Sequence, residues 1–182
     1  MEISGEHHIP VPRGQVWEAL NNPAVLQASI PGCESLEKVS DTTFTASVVS
    51  KIGSIKARFK GKVDFTDIVP LSQYTISGQG QGGMAGSVKG TACVELEDYG
   101  PKETLLRYTA KAALSGKLAS VGSRIIEGVV RNTADDFFCN FVEEVSGVRP
   151  AAAKPTTSVN RLVWVIVAGI LVAAAAIAFM VL

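Results

Sequence analysis

The sequence predicts an α+β domain, in which a curved antiparallel sheet wraps around one long helix, followed by a membrane-spanning segment. Strand-like segments separated by Gly, Asp and Pro fill residues 34–113, and apolar residues at three- and four-residue steps fill residues 117–145. Residues 162–182 carry no charge and no proline. A chain of this size forms one core rather than two. We therefore predict a domain at 1–146, a flexible linker at 147–161 and a transmembrane helix at 162–182.

The sequence predicts one strand and two short helices in the first part of the domain. Residues 3–9 alternate as a strand does, and Pro12 begins a helix that ends before Asn21-Asn22-Pro23. A second helix is predicted from Val25 to Ile30. After the strands, a final helix from Lys117 to Val145 presents a broad apolar face. The sheet is expected to wrap around this last helix.

Alternating side chains in residues 55–65 predict a sheet with one dry face and one wet face. Small residues recur on the dry face: Ala57, Gly61, Gly90, Ala92, Ala110 and Ala112. They either let the long helix pack closely or leave a cavity beneath it. Since the chain is predicted to lie beside a bilayer, an apolar lipid is a natural guest for such a cavity.

Four basic residues share the wet face of one strand: Lys56, Arg58, Lys60 and Lys62. They form either a solvated surface that discourages edge pairing, or a contact for anionic lipid headgroups or for an acidic partner protein. Residues 1–146 hold fourteen basic and seventeen acidic residues, a net charge of −3. This acidic balance, without a recognisable nucleic-acid module, indicates that the partner is not nucleic acid.

The apolar segment at 162–182 is long enough to cross a bilayer, since a helix of this length spans about 31 Å. The alternative, a buried core helix, fits poorly with so uniform a stretch. Arg149, Lys154 and Arg161 precede the segment without any acid, which favours a cytoplasmic domain. No export signal is recognised, and the three cysteines lack pairing or metal-ligand spacing. The predicted location is the cytoplasmic membrane, with a single carboxyl-terminal pass.

Little in the sequence supports catalysis or a metal site. His7 and His8 are adjacent on a strand, so their side chains point to opposite faces and cannot share a metal. The G-x-G-x-x-G at Gly78, Gly80 and Gly83 is followed by strand-like sequence, which favours a hairpin over a phosphate-binding loop. We predict no catalytic residue and no metal ligand.

Four segments together resemble the G-subunit family of carbon monoxide dehydrogenase, a member of the START-like, helix-grip (SRPBCC) superfamily. The segments are Ile30–Leu36, Gly53–Val63, Gly78–Gly90, and Ala119–Ile126 with Asp136-Phe137-Phe138. The resemblance covers about residues 1–146 and implies a helix-grip fold. The family pattern usually has Gly-Pro where this chain has Gly53-Ser54, a departure confined to a turn.

The resemblance implies a non-catalytic accessory protein that recruits a molybdenum-containing carbon monoxide dehydrogenase, or a related molybdenum hydroxylase, to the membrane. The helix-grip cavity implies an apolar ligand, and our hypothesis is a respiratory quinone (menaquinone or ubiquinone) or another isoprenoid lipid. Three alternatives stay open: a membrane anchor without cargo, a maturation factor for the dehydrogenase, and an enzyme of the polyketide cyclase type.

The residues expected to line the cavity lie on the dry face of the sheet and on the last helix. They are Phe59, Val63, Phe65, Tyr74, Tyr108, Leu118, Ile125, Ile126, Val129 and Phe137. The two tyrosines have hydroxyl groups suited to a quinone carbonyl. Two loops are expected to form the rim of the cavity: Ile30, Pro31, Gly32, Gly82, Gly83 and Met84. Contact with a partner or with headgroups is expected at the four basic residues of the wet face.

Overall fold

A computed structural model describes residues 2–52 and 54–147. The predicted linker beyond residue 147 and the predicted transmembrane segment at 162–182 lie outside the described residues. Within the described part, no helix is long and apolar enough to cross a membrane. The described elements are β1 Glu2–Ile9, α1 Arg13–Leu20, α2 Pro23–Ser29, β2 Cys33–Ser40, β3 Thr43–Ile52, β4 Ile55–Val69, β5 Gln73–Gln81, β6 Ser87–Gly100, β7 Glu103–Leu114 and α3 Ser123–Ser146, with short 3-10 segments at Gly83–Ala85 and Gly116–Ser120.

The seven strands form one antiparallel sheet in the order β1-β7-β6-β5-β4-β3-β2. Strands β2 to β7 follow one another as a meander, whereas β1 pairs with β7 at the opposite edge. The core lies between the inner face of the sheet and the helices, with Leu118, Val129 and Phe141 fully buried. The predicted α+β class, an antiparallel sheet packed on a long carboxyl-terminal helix, is confirmed.

The two faces of the sheet are arranged as the alternation predicts. On β4, Phe59, Val63 and Phe65 are buried, whereas the basic residues between them are exposed or half-buried. On β7, Leu106 and Ala110 are buried in the same alternation. One face of the sheet therefore packs on the core and the other faces solvent.

The connections of the meander alternate between two ends of the sheet. The β3–β4 and β5–β6 connections and the start of α3 lie at one end, which we call the β5–β6 end. The β2–β3, β4–β5 and β6–β7 turns lie at the other, which we call the β6–β7 end. The glycine-rich run forms the β5–β6 hairpin, as predicted. Gly86 (φ +111°) lies so close to the carbonyl of Ser115 that a Cβ would not fit, so this hairpin packs directly on the segment leading into α3.

The last helix begins later than predicted. Residues Gly116–Ser120 form a separate 3-10 segment, and α3 begins at Ser123 rather than at Lys117. Gly116 and Gly122 have φ values of +66° and +93°, a backbone conformation that interrupts a right-handed helix. The single helix expected from Lys117 is therefore divided into two elements.

Gly5 on the edge strand β1 is covered by an aromatic ring from the neighbouring strand. Gly5 lies directly opposite Tyr108 on β7. A Cβ at Gly5 would lie 2.6 Å from the Tyr108 hydroxyl oxygen and 2.8 Å from two carbons of its ring. An aromatic side chain over an edge glycine helps to fix strand register. The position of the Tyr108 ring thus depends on the absence of a side chain at residue 5.

We expect a Gly5→Ala substitution to lower the free energy of unfolding by about 1–3 kcal/mol, because the added methyl group displaces the Tyr108 ring. Gly14→Ala in α1 is the matched control, since no heavy atom lies within 4 Å of the new Cβ. The control should raise stability by roughly 0.5 kcal/mol through helix propensity. Denaturant-induced unfolding of both variants measures the difference, and equal effects would contradict the contact.

Candidate functional site: an apolar cavity between sheet and helices

An apolar cavity of about 80 Å³ lies between the inner face of the sheet and the helices. Strands β4 to β7 supply most of its wall, α1 and α2 supply one leucine each, and α3 supplies three residues. The wall consists of Leu20, Leu26, Phe65, Tyr74, Ile76, Ala92, Val94, Leu106, Tyr108, Ala110, Val130, Phe137 and Phe138. Among the residues that the structure describes, the two tyrosines are the only wall residues with a polar side-chain group.

The cavity forms where small side chains on the sheet face large rings on α3. Ala92 on β6 lies opposite both Ile76 on β5 and Ala110 on β7. The facing rings of Phe137 and Phe138 pack edge to face, with centroids 5.0 Å apart. Rigid rings held in this way cannot fill the space beside the two alanines. Of the two outcomes expected for the small dry-face residues, a void is therefore found at Ala92 and Ala110.

Stacked aromatic rings line the cavity on the side of β4 and β5. Phe65 stacks on Tyr74 with centroids 5.0 Å apart, and Phe44 packs on Phe65 at 5.1 Å. Trp17 of α1 meets the Tyr74 ring edge-on at 5.6 Å. Burial raises the pKa of the Tyr74 hydroxyl well above its ordinary value. This phenol is therefore neutral and keeps its proton for hydrogen bonding.

Three further rings form a stack on the β1 side of the cavity. His7 stacks on Phe138 with centroids 3.8 Å apart, and Tyr108 stacks on the same ring at 5.8 Å. Burial lowers the pKa of His7 to about 4 and raises that of Tyr108, so both are uncharged at neutral pH. His8 points to the opposite face from His7, as expected for adjacent residues on a strand. Its ring packs edge-on against Tyr99, with centroids 4.3 Å apart. On this side the wall offers a guest the Tyr108 phenol without offering charge, whereas His7 stacks on Phe138 and does not belong to the wall.

The cavity wall contains only part of the residue set predicted from the sequence. Four of the ten predicted residues belong to it: Phe65, Tyr74, Tyr108 and Phe137. Five others are buried in the packed core outside the wall: Phe59, Val63, Leu118, Ile126 and Val129. The structure places Ile125 outside the wall, and this residue is 53 % exposed. It falls beside the buried stripe of α3, which runs through Ile126, Val129 and Val130.

Nine wall residues were not predicted: Leu20, Leu26, Ile76, Ala92, Val94, Leu106, Ala110, Val130 and Phe138. Those on β5, β6 and β7 follow the same alternation that identified the dry face on β4, so the signal was present. Leu20 and Leu26 flank the predicted Asn-Asn-Pro break. Nothing in the sequence indicates that this break turns both leucines toward the sheet.

None of the six predicted rim residues lines the cavity, and their role at its mouth stays a prediction. Ile30 and Pro31 are buried, and the backbone of Gly32 lies against the carbonyl of Val49. In the other loop, Gly82 and Gly83 lead to Met84, which is 85 % exposed at the tip of the β5–β6 hairpin. A Cβ at Gly82 would meet the ring of Phe59, which is outside the wall.

The four basic residues of the wet face lie on the outer side of β4. Arg58 pairs with Glu34 at 2.8 Å, and Lys62 pairs with Asp64 at 3.0 Å. The two other side chains are exposed: Lys56 and Lys60. A wide depression of about 760 Å³ lies on the outer face of β4 to β7, beside Glu2 of β1, and its lining includes Lys62 and Asp64. Their contact with a partner or with headgroups stays a prediction.

Two of the three cysteine thiols among the described residues are poorly suited to act as nucleophiles. Burial raises the pKa of the Cys33 thiol to about 11 and also raises that of Cys93. Both thiols are therefore protonated at neutral pH, and a protonated thiol is a poor nucleophile. Among the described residues, no group of three His, Cys, Asp or Glu side chains is placed to hold a metal ion.

We expect the free energy of unfolding to fall as pH decreases from about 6.5 to 4, in part because of His7. In the unfolded chain the His7 imidazole takes up a proton near pH 6.5. In the folded protein it does so only near its pKa of about 4. The contribution of this residue is thus fully present above pH 6.5 and is lost as pH falls toward 4. Carboxylates titrate in the same range, so the readout is the difference between variants. His7→Phe should flatten the pH dependence, whereas the exposed-site control His8→Gln should retain it, and unfolding titrations at each pH test this.

Comparison with known proteins identifies both the family and the fold. The family described as the carbon monoxide dehydrogenase G subunit (CoxG) matches residues 5–146. A conserved protein from Geobacillus kaustophilus is similar in structure, with 28% identity, a TM-score of 0.76, and coverage of 81% of this chain and 96% of that chain. A comparison with curated proteins found no match.

More distant solved structures share the fold alone. A START superfamily protein from Mycobacterium smegmatis has 10% identity and a TM-score of 0.62, covering 80% of this chain and 97% of its own. The Zhui aromatase/cyclase from Streptomyces sp. R1128 has 13% identity and a TM-score of 0.59, covering 84% of this chain and 98% of its own. The implied START-like architecture of the domain is thereby confirmed.

Proposed function

The chain belongs to the CoxG family of carbon monoxide dehydrogenase, and from this premise we propose that it is a membrane-tethered, non-catalytic carrier of a respiratory quinone. Membership associates the chain with carbon monoxide dehydrogenase. In the proposal that enzyme is of the molybdenum type, and the chain recruits it to the cytoplasmic membrane. Electrons released by the enzyme would then reach a quinone held by this protein.

The apolar cavity is the observation that supports a quinone ligand. A quinone ring has apolar faces and carbonyl acceptors at its edge, and the wall supplies aromatic surface together with the hydroxyls of Tyr74 and Tyr108. Both hydroxyls are neutral donors, since burial raises the pKa of each. Among the described residues, no charged side chain belongs to the wall, and this favours apolar ligands over ionic ones.

The cavity must expand to admit such a ligand. Its volume of about 80 Å³ is roughly half that of an apolar cavity that admits benzene, about 150 Å³. Every strand of the sheet is paired with its neighbours, so we assign the movement to α3, about the segment between Gly116 and Gly122. An isoprenoid tail leaves one apolar phase for another when it moves from the bilayer into the cavity. The transfer is then nearly neutral in free energy, which suits release as well as capture.

The sequence of residues 148–182 supports the membrane tether. Three basic residues and no acid precede twenty-one uncharged residues whose helical length of about 31 Å fits a bilayer. Such a tether would hold the domain within reach of both the lipid and a docked enzyme. It would also place the cavity beside the compartment that contains the quinone.

A membrane anchor without cargo is the second candidate, and the small volume of the cavity favours it. In that case α3 stays in place, and the protein serves only to hold or mature the dehydrogenase. An enzyme of the polyketide cyclase type is less well supported. The similarity to the Zhui aromatase/cyclase shows the fold alone, and the wall offers only tyrosines as titratable groups.

We expect an Ala110→Leu substitution to reduce the quinone that copurifies with the full chain, because the larger side chain fills the cavity. Lipid mass spectrometry of protein solubilised from its own membranes measures the quinone. Ala113→Leu on the exposed face of the same strand is the matched control and should leave the content unchanged. Copurification of the dehydrogenase should survive in both variants and reports that the domain is folded. Quinone bound equally by both variants would place the ligand elsewhere, and none in the parent protein would favour the anchor without cargo.

Deletion of residues 162–182 tests the tether separately. We expect the truncated protein to move from the membrane fraction to the soluble fraction, because the deletion removes the apolar length needed to cross the bilayer. Binding to the dehydrogenase should persist if residues 1–146 form the docking domain. Fractionation and pull-down of the same preparation give both readouts, and membrane retention after the deletion would refute the tether.

A further inference from the structure

The β5–β6 end of the sheet exposes two large apolar side chains. Met84, at the tip of the β5–β6 hairpin, is 85 % exposed, and Ile125, in the first turn of α3, is 53 % exposed. Both elements meet at this end, since the hairpin packs on the segment that precedes α3. Two exposed apolar side chains do not by themselves mark an interface, and the charge at the same end of the sheet is the second observation.

The hairpin that carries Met84 is held in place by short polar contacts. The amide of Gly82 donates to the carbonyl of Gly86 at 2.9 Å, and the hydroxyls of Ser87 and Ser115 lie 2.7 Å apart. These bonds join the hairpin to itself and to the segment leading into α3. The side chain of Met84 is therefore presented outward from a fixed backbone, which lowers the entropy lost when it is bound.

Basic side chains lie at the same end of the sheet as these apolar residues. Four of them are exposed at the β5–β6 end: Lys51, Lys56, Lys117 and Arg124. Lys51 and Lys56 lie directly opposite each other in the β3–β4 ladder, an arrangement that destabilises the sheet unless an anion lies nearby. Glu127 follows one turn further along α3, which leaves a local charge of +3.

The β6–β7 end is also partly apolar but has the opposite charge. Its turns expose Ile68, Val69, Leu71 and Tyr99. Its exposed acids include Asp41, Asp67, Asp98 and Glu103, and they outnumber the bases Lys102, in the β6–β7 turn, and Arg13, which pairs with Asp98 at 2.8 Å. An anionic surface would therefore repel this end and attract the β5–β6 end, although both carry apolar side chains.

We propose that the β5–β6 end docks directly on an anionic bilayer, with Met84 and Ile125 in the acyl boundary and the four basic residues among the headgroups. This inference rests on the proposed function in one respect: the proposed membrane tether keeps the domain close to lipid. Fourteen residues at 148–161 extend to at most about 50 Å, and α3, with 24 residues, is about 36 Å long. The linker is longer than α3. The start of α3 can therefore reach the membrane even when the carboxyl end of α3 points away from it.

The test places a tryptophan at each end of the full chain, reconstituted in bilayers with brominated acyl chains that quench nearby indoles. Met84→Trp probes the β5–β6 end, and Tyr99→Trp is the matched control at the β6–β7 end. The parent chain supplies the baseline from its own Trp17 and Trp164. In bilayers rich in phosphatidylglycerol, Met84→Trp should be quenched beyond the baseline and Tyr99→Trp should not. In pure phosphatidylcholine the additional quenching should fall.

Charge removal gives the second measurement. Each basic residue near an anionic surface changes the docked-to-free ratio about fivefold. Lys117→Gln with Arg124→Gln should therefore lower this ratio about 25-fold, read as loss of the additional quenching of Met84→Trp. Lys38→Gln with Lys102→Gln, outside the β5–β6 end, is the matched control and should leave it unchanged.

The tail and the docking surface fail in different ways. Trp164 lies in the proposed membrane helix, so quenching of the parent chain reports the tether independently of docking. Strong parent quenching with equal signals from Met84→Trp and Tyr99→Trp would overturn the bilayer as the occupant. Additional quenching of the same size in phosphatidylglycerol-rich and in pure phosphatidylcholine bilayers would overturn the role of the four basic residues.

Discussion

The packing of α3 against the inner face of the sheet is the contact on which the rest of the structure depends. Val129, Val130 and Phe141 of α3 are fully buried, and burial of such side chains supplies about 1.5–3 kcal/mol each. The sheet is antiparallel and has one apolar face, and α3 covers that face together with α1 and α2, each of which supplies one leucine to the cavity wall. The same contact leaves the cavity, because Ala92 and Ala110 lie beneath rings that do not reach them.

The cavity and its surroundings define what the domain can bind. A wall without charged groups favours an apolar guest, and its two neutral phenols add donors at fixed places. The strands hold one another by backbone pairing, whereas α3 is joined to the sheet through a short segment flanked by glycines with positive φ. Any enlargement of the cavity therefore falls to the helix. In the proposed carrier, capture of a ligand and movement of α3 would be two parts of one step.

The two ends of the sheet divide the surface into regions of different charge. Antiparallel connections alternate between the ends, so charges placed in alternate hairpins accumulate at opposite poles. The basic pole carries the start of α3, and the acidic pole carries the turns beside α1. A domain with a small negative net charge can therefore still present a positive surface to lipid. The acidic pole stays available to a different partner, such as the associated dehydrogenase.

Much of the fold followed from local patterns in the chain. Alternation along the strands identified the buried face of β4, and the Asn-Asn-Pro break separated α1 from α2. Gly78–Gly90 formed a hairpin because strand-like sequence continues after it. The start of α3 was misplaced because an apolar period continues through residues 118–126, whereas the backbone at Gly116 and Gly122 does not continue as a helix.

The sequence by itself determined the α+β class, the dry face of the sheet and the apolar length of residues 162–182, since each depends on neighbours along the chain. Tertiary structure alone decided which dry-face residues enclose the cavity. Val63 and Phe65 are both buried on β4, yet only Phe65 faces the void, because only it lies against Tyr74 across the strand pair. Ile125 and Ile126 are adjacent and equally apolar, but one faces solvent and the other the core. Such distinctions depend on where α3 crosses the sheet, and residues distant in sequence fix that crossing.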